Sequence, residues 1–279
     1  MNYRHIYHAG NHADVLKHVV LLACLRAMQV KPKPLFVLDT HAGRGDYALD
    51  SVEAGKTAEA AGGIGRLHGQ PPRNAAVQAY LAALAALGAD GKCYPGSPRL
   101  LAAALRAQDR LAACELQPDE AAALREVLAP YPNCAVHRRD GYEALRALLP
   151  PKEKRALVLI DPPYEQQLDE FHAIEQALAA ALQRLPDGSY LLWYPIKTRR
   201  ALQPSMRRLA ALPAKRTLRV ELLIRPDDSP LRMNGSGLLL FNPPWQIEQA
   251  LEPALAELAA TLGERASSWR MDYLKQDAA

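Results

Sequence analysis

Short apolar runs recur along this chain, too continuous for strands with one wet face and too short for helices. Seven of them read as buried strands: Leu35–Asp39, Leu111–Leu116, Asn133–His137, Ala156–Asp161, Tyr190–Tyr194, Leu218–Ile224 and Gly237–Phe241. Most are separated by alanine- and leucine-rich stretches with helical spacing, such as Asp119–Leu128, opened by Pro118, and Glu170–Leu185. This alternation predicts an α/β fold, a doubly wound and mostly parallel sheet. The last two strands are joined by a turn-rich segment, Arg-Pro-Asp-Asp-Ser-Pro-Leu-Arg-Met-Asn-Gly-Ser, so an antiparallel pair is expected at one sheet edge.

One interval breaks the rhythm. After Gly43-Arg44-Gly45 no strand is expected until about Leu111, several times the usual crossover length. The interval holds a helical stretch, Ala75–Leu87, then Tyr94-Pro95-Gly96-Ser97-Pro98 and a helix over Arg99–Arg106. The expected organisation is therefore an amino-terminal cap over residues 1–34, a main domain over 35–45 and 94–279, and a small helical subdomain inserted at 46–93.

With 279 residues, 49% of them hydrophobic, the chain can bury a sizeable core. Its 34 basic and 30 acidic residues leave a formal charge of only +4, which does not announce a nucleic-acid partner. The local distribution says more, because residues 197–232 carry ten Lys or Arg against three acidic residues, beside Trp193-Tyr194-Pro195. Such a face is either simply solvated or tracks phosphates. Four widely spaced cysteines without a Cys-x-x-Cys pair suit free thiols in a reducing cytoplasm. A polar amino terminus, with no stretch of eighteen apolar residues, gives no expectation of export or membrane insertion.

The most specific chemistry is Asp161-Pro162-Pro163-Tyr164, directly after Ala156–Ile160. Two prolines end the strand and stiffen the turn, the carboxylate can accept hydrogen bonds from an amino group, and the ring can stack on a planar base. That combination suits methylation of an exocyclic amine. A similar tetrapeptide, Asn242-Pro243-Pro244-Trp245, follows the last strand. Asp161 is preferred because its strand should adjoin the first in a doubly wound sheet.

The first strand runs into Thr40-His41-Ala42-Gly43-Arg44-Gly45, a glycine loop at the strand's carboxyl end. Gly43-Arg44-Gly45-Asp46-Tyr47-Ala48 also fits a dinucleotide pattern, but the acidic residue expected about 20 positions on is missing, which weakens a hydride-transfer reading. Glu115 and Asp140-Gly141 end the next two strands. With Asp161 they form an acidic row suited to an adenosine-containing ligand, Glu115 for the ribose hydroxyls and Asp140 for the adenine amino group, and S-adenosylmethionine fits it. Either acid can instead merely cap a helix. Ahead of the first strand lie His5, His8, His12 and His18 with Tyr3 and Lys17. No carboxylate completes a metal-ligand spacing there, so no metal is expected. A cap over the site is the preferred reading, with His18 or Lys17 on the methionine carboxylate and Tyr3 and His5 on the target base. These residues alone leave DNA, RNA and free amines open as acceptors, and a non-catalytic RNA-binding module stands as a reading from another class.

Tyr3-Arg4-His5, the run His8–His18, Leu38–Gly43, Tyr94–Pro98, Asp161–Tyr164, Leu192–Pro195 and Asn242–Trp245 together closely resemble the RlmJ family of bacterial 23S ribosomal RNA adenine-N6 methyltransferases. The resemblance covers nearly the whole chain and is least in 46–93. It implies a class I (Rossmann-like) S-adenosylmethionine-dependent methyltransferase fold and N6 of an adenine in 23S rRNA as acceptor, with a DNA adenine methyltransferase as runner-up. It further implies His18, His41, Ser97, Glu115, Asp140 and Gly141 around the cofactor, with Asp161 as the proton acceptor and Tyr3 touching the substrate. The residue chemistry adds Gly43 and Asp161 to the expected cofactor contacts, Pro162 and Tyr164 to Asp161 as the catalytic group, and His5 and Lys17 to Tyr3 on the substrate. No obligate protein partner is implied.

Overall fold

The computed structural model describes residues 8–49, 59–89, 92–164, 167–230, 233–264 and 266–276. In chain order its strands are β1 (Phe36–Asp39), β2 (Asp46–Ala48), β3 (Cys93–Pro95), β4 (Arg110–Cys114), β5 (Cys134–His137), β6 (Ala156–Ile160), β7 (Ser189–Ile196), β8 (Thr217–Leu223), β9 (Gly235–Phe241) and β10 (Ser268–Lys275). Its helices are α1 (His12–Gln29), α2 (Glu59–Gly62), α3 (Ile64–His68), α4 (Ala75–Ala86), α5 (Ser97–Ala104), α6 (Pro118–Leu128), α7 (Gly141–Leu148), α8 (Gln167–Arg184), α9 (Arg199–Ala210) and α10 (Ile247–Leu262).

The main sheet has the order β10-β8-β9-β7-β6-β1-β4-β5. β5, β4, β1, β6 and β7 are mutually parallel, and β9 inserts antiparallel between β7 and β8. The continuous apolar runs follow from this arrangement, because each central strand packs on both faces. Val37, Leu157 and Leu159 join one core with α1, α4, α5, α6 and α10. Phe36, Leu38, Val158 and Ile160 join a second core with α7, α8 and α9.

The sheet has eight strands rather than the expected seven. The additional one, β10, pairs antiparallel with β8 at the edge. Trp269, Met271 and Tyr273 pack on the core while Arg270 and Asp272 form ion pairs at the other face, a period-two alternation typical of a half-covered strand.

Within 46–93 the described residues hold three short helices joined by turns, and β2 and β3 close the segment as a short antiparallel pair. The insert shares the main core: Ile64, Leu67, Val77, Tyr80 and Leu84 are buried with Val15, Leu16 and Leu22 of α1. α1 is itself a core helix, with thirteen buried residues and Asn11 as its N-cap, whose Oδ1 accepts from the amides of Ala13 and Asp14.

Candidate active site

Parallel strands deliver their carboxyl ends to one edge of the sheet, and the switch in strand order falls between β1 and β6, where such sheets bind ligands. Asp39 ends β1, level with Leu159 of β6, so Asp161 stands two residues farther out on the neighbouring strand. Asp39 is fully buried. Its Oδ2 accepts from Ser97 Oγ at 2.7 Å at the start of α5. Oδ1 has no hydrogen-bond partner among the described residues. Burial pushes the Asp39 carboxyl up to about 7, with the Asp161 charge adding to the effect and the Ser97 hydroxyl and Lys17 ammonium opposing it.

Asp161 Oδ2 accepts from Lys17 Nζ at 2.6 Å, and the same ammonium meets Asp14 Oδ1 at 2.8 Å. Asp14 is fixed in turn by the Gly10 amide, which donates to its Oδ2 at 2.9 Å. The Lys17 side chain is only 5% exposed. Burial alone would lower its pKa, but the two carboxylates outweigh that and hold it well above the usual lysine value. α1 thus fixes the acid that follows β6. Tyr164 sits beside it in a left-handed conformation, φ 43°. Its hydroxyl donates to the Trp193 carbonyl at 2.7 Å, and its ring lies 5.8 Å from the Trp193 ring and 5.4 Å from that of Phe171. Pro162, between them, is buried.

The glycine loop folds over the ends of β1 and β4. Glu115 Oε2 accepts from the Gly43 amide at 3.0 Å and Oε1 from the Gln117 amide at 2.7 Å. Burial raises the Glu115 pKa against the pull of these amides. Gly43 has φ 62°, and a Cβ there would lie 2.2 Å from the Tyr47 hydroxyl, so both conformation and space require glycine. After β5, Asp140 caps α7, its Oδ1 accepting from the amides of Tyr142 and Glu143. A Cβ on Gly141 would come 2.3 Å from the Thr40 carbonyl and 2.8 Å from the His41 ring, so the third strand end presses directly on the first loop. His41 is edge-on to Tyr142 at 5.3 Å, with Nδ1 2.8 Å from Thr40 Oγ1, and burial lowers its pKa to about 4, leaving a neutral ring.

His41, Gly43, Ser97, Glu115, Asp140, Gly141, Asp161, Pro162, Tyr164 and Lys17 are therefore gathered at one edge. His18, next to Lys17 on α1, stacks on Tyr94 at 5.7 Å, with Nδ1 2.8 Å from the Tyr94 hydroxyl, which also meets Tyr80 at 2.9 Å. Tyr3 and His5 lie outside the described residues. Lys17, expected on a methionine carboxylate or the substrate, is bound to Asp161. Sequence reasoning passed over Asp14, Asp39 and Trp193. The i, i+3 spacing of Asp14 and Lys17 and the acid ending β1 were signals for two of them.

The rival Asn242-Pro243-Pro244-Trp245 sits at the opposite edge, since β9 runs antiparallel and Phe241 pairs with Tyr190 at the start of β7.

A family model described as "Ribosomal RNA large subunit methyltransferase D, RlmJ" matches residues 32–275. The Haemophilus influenzae protein named ribosomal RNA large subunit methyltransferase J is 39% identical over 278 residues, 98% of this chain and 99% of its own. The Escherichia coli protein of the same name is 38% identical over 276 residues, 96% and 98% of the two chains. A crystal structure of a Legionella pneumophila protein, 33% identical, superposes with a TM-score of 0.86 over 95% of this chain and 98% of that one. With its sheet order, its loaded carboxyl edge and full-length relatives at these identities, the chain belongs to the RlmJ family of S-adenosylmethionine-dependent ribosomal RNA methyltransferases.

Proposed function

We propose that this protein methylates N6 of a specific adenine in 23S ribosomal RNA, with Asp161 as the acceptor for the reacting amino group. The observation that carries the assignment is the Asp161 carboxylate, clamped by Lys17 beside the Tyr164 ring at the switch point of the sheet.

The chain's own groups fit the cofactor. The unpartnered Asp39 Oδ1 is a buried acceptor suited to the methionine ammonium. Each Glu115 oxygen keeps a lone pair beyond the amide it already holds, so the carboxylate can take the ribose hydroxyls without releasing the loop. Asp140 uses Oδ1 for its helix cap, and Oδ2 stands outside that cap, suited to the adenine amino group. Gly43 and Gly141 let the loop after β1 pack closely on Tyr47 and on the start of α7, which shapes the edge that Ser97 and His41 share. When bound, S-adenosylmethionine supplies a methyl group on a positively charged sulfur.

The target base leaves its stack and meets the Tyr164 ring, whose position is fixed by the Trp193 carbonyl and by Phe171. Asp161 and the Pro162 carbonyl accept hydrogen bonds from N6, orienting its lone pair and stabilising the positive charge that develops there. The proton then leaves N6 to Asp161 or to water. Tyr3 and His5 are assigned to the incoming base. The acceptor is protein-free 23S rRNA or an early assembly intermediate in the cytoplasm, with no protein partner required for transfer.

The test is transfer of labelled methyl from S-adenosylmethionine to unmodified, protein-free 23S rRNA, with plasmid DNA alongside and nucleoside analysis of the product. N6-methyladenosine at one rRNA position is expected. Label in DNA alone would overturn the rRNA acceptor while keeping the chemistry, and label in neither would overturn catalysis on free nucleic acid.

A further inference from the structure

Three strands from Asp161 lies a cavity that the methyl-transfer chemistry does not use. It has a volume of about 340 Å³ and sits between α9 and the outer strands β8 and β10. Leu202, Met206 and Leu274 form an apolar floor, while Arg199, Arg207, Arg219 and Arg270 surround it. Two carboxylates answer these four guanidiniums. Glu221 accepts from Arg199 Nε at 2.7 Å, and Asp272 takes both Arg219, at 2.7 Å, and Arg270, at 2.9 Å. Arg207 is exposed and has no ion pair among the described residues. Arg199 Nη2 is buried with no hydrogen-bond partner. A buried donor left unsatisfied is costly, and an anion entering the cavity would satisfy this one.

The chemistry of the walls defines that acceptor. Guanidiniums in excess of carboxylates select an anion, and their planar forks suit phosphate oxygens. The apolar floor and the flat faces of arginine suit a planar base, and the volume lies at the lower end of small-ligand pockets. Phosphate and base together make a nucleotide.

Position ties the cavity to the catalytic edge. Ile160 of β6 is level with Leu192 of β7, Tyr194 of β7 with Gly237 of β9, and Gly237 with Glu221 of β8. Glu221 therefore lies near the level of Asp161, three strands away, or about 14 Å at the usual strand spacing. A few nucleotides of single-stranded RNA span that distance. Tyr194 connects the two places, its hydroxyl donating to Glu221 Oε1 at 3.0 Å, one residue after Trp193, whose carbonyl holds Tyr164.

We infer that the cavity between α9, β8 and β10 is a second nucleotide site that grips the RNA strand a few residues from the target adenine. The inference rests on the rRNA assignment, and it accounts for part of the basic bias of residues 197–232, since Arg199, Arg207 and Arg219 line the cavity.

The test compares Arg207→Glu and Ala210→Phe with Arg125→Glu, the same charge change on an exposed residue of α6, across the sheet. Ala210 lines the cavity, so phenylalanine there fills space without altering charge. Binding of a fluorescent 23S rRNA fragment is measured against salt, together with S-adenosylmethionine affinity and turnover at saturating RNA. Arg207→Glu is expected to weaken RNA binding about tenfold and to lower the salt slope by about 1. Ala210→Phe is expected to weaken binding without changing the slope, and Arg125→Glu to do neither, with cofactor affinity and turnover unchanged throughout. Equal losses in Arg207→Glu and Arg125→Glu would overturn the site, as would no loss in either cavity variant while wild type binds and methylates RNA. Adenosine monophosphate binding that Arg207→Glu abolishes, with RNA binding intact, would overturn the RNA assignment in favour of a free nucleotide. Wild type that neither binds nor methylates rRNA would remove the functional proposal first and this site with it.

Discussion

Two strands of this protein end in almost the same words, and the structure treats them oppositely. Asp161-Pro162-Pro163-Tyr164 follows a parallel strand and lands at the carboxyl edge, with its acid clamped by Lys17 and its ring held beside Trp193. Asn242-Pro243-Pro244-Trp245 follows an antiparallel strand and lands at the other edge. There the Asn242 amide donates to the carbonyls of Pro186 and Gly188, while its Oδ1 accepts from the Lys215 amide, so the side chain is consumed in tying β9 to the turn before β7. Both tetrapeptides contain a left-handed residue, Tyr164 at φ 43° and Asn242 at φ 51°. In the first it is the aromatic that is strained and in the second the amide, for which that conformation is comparatively easy. Strand direction, and not the tetrapeptide, decides which end can do chemistry.

The comparison breaks most visibly at Asp161. Asp161→Ala should lower methyl transfer by at least about 100-fold while S-adenosylmethionine affinity, followed by calorimetry, stays near that of wild type. Loss of both together would make the residue structural. Asn242→Ala should do the reverse: three hydrogen bonds vanish and the unfolding free energy falls by about 1–3 kcal/mol, with turnover at 25 °C unchanged.

Asp39 sharpens the contrast through pH. Its folded-state pKa of about 7 lies above the ordinary 3.8, so its protonated form stabilises the fold below about pH 4, and that contribution drains away as pH rises through 7. Asparagine cannot ionise. Urea melts of Asp39→Asn and wild type should therefore diverge in the variant's favour between pH 4 and 7, and parallel curves would show that Asp39 titrates normally. The smallest effect belongs to Trp245, which is 77% exposed with Arg216 6.0 Å from its ring. Trp245→Ala should move stability by no more than about 0.5 kcal/mol and leave RNA affinity alone. A several-fold loss of RNA affinity would mean that both edges of the sheet meet the substrate.

Elements covered on two faces were plain in the sequence, because burial on both sides writes an unbroken apolar run, as in Ala156–Ile160. β10 was not, because one face carries Arg270 and Asp272 and its apolar positions alternate with charge. β2 and β3 are three residues each, too short to show any period. At the site, strand-end acids and glycines were legible because topology sends them to one edge. Pairings such as Lys17 with Asp161, 144 positions apart, and His18 with Tyr94, 76 apart, depend on how α1 packs and leave no local trace. The tyrosine contacts of His18 were for that reason not legible in the sequence.

The clamp on Lys17 has a chemical consequence of its own. A primary amine next to an alkylating cofactor is a competing nucleophile, and one self-methylation event could disable the enzyme. Only the unprotonated amine has the lone pair needed for attack. With Asp14 and Asp161 both on its ammonium, Lys17 keeps that pair locked in an N–H bond far above neutral pH. The same two contacts that orient Asp161 also keep its lysine partner protonated.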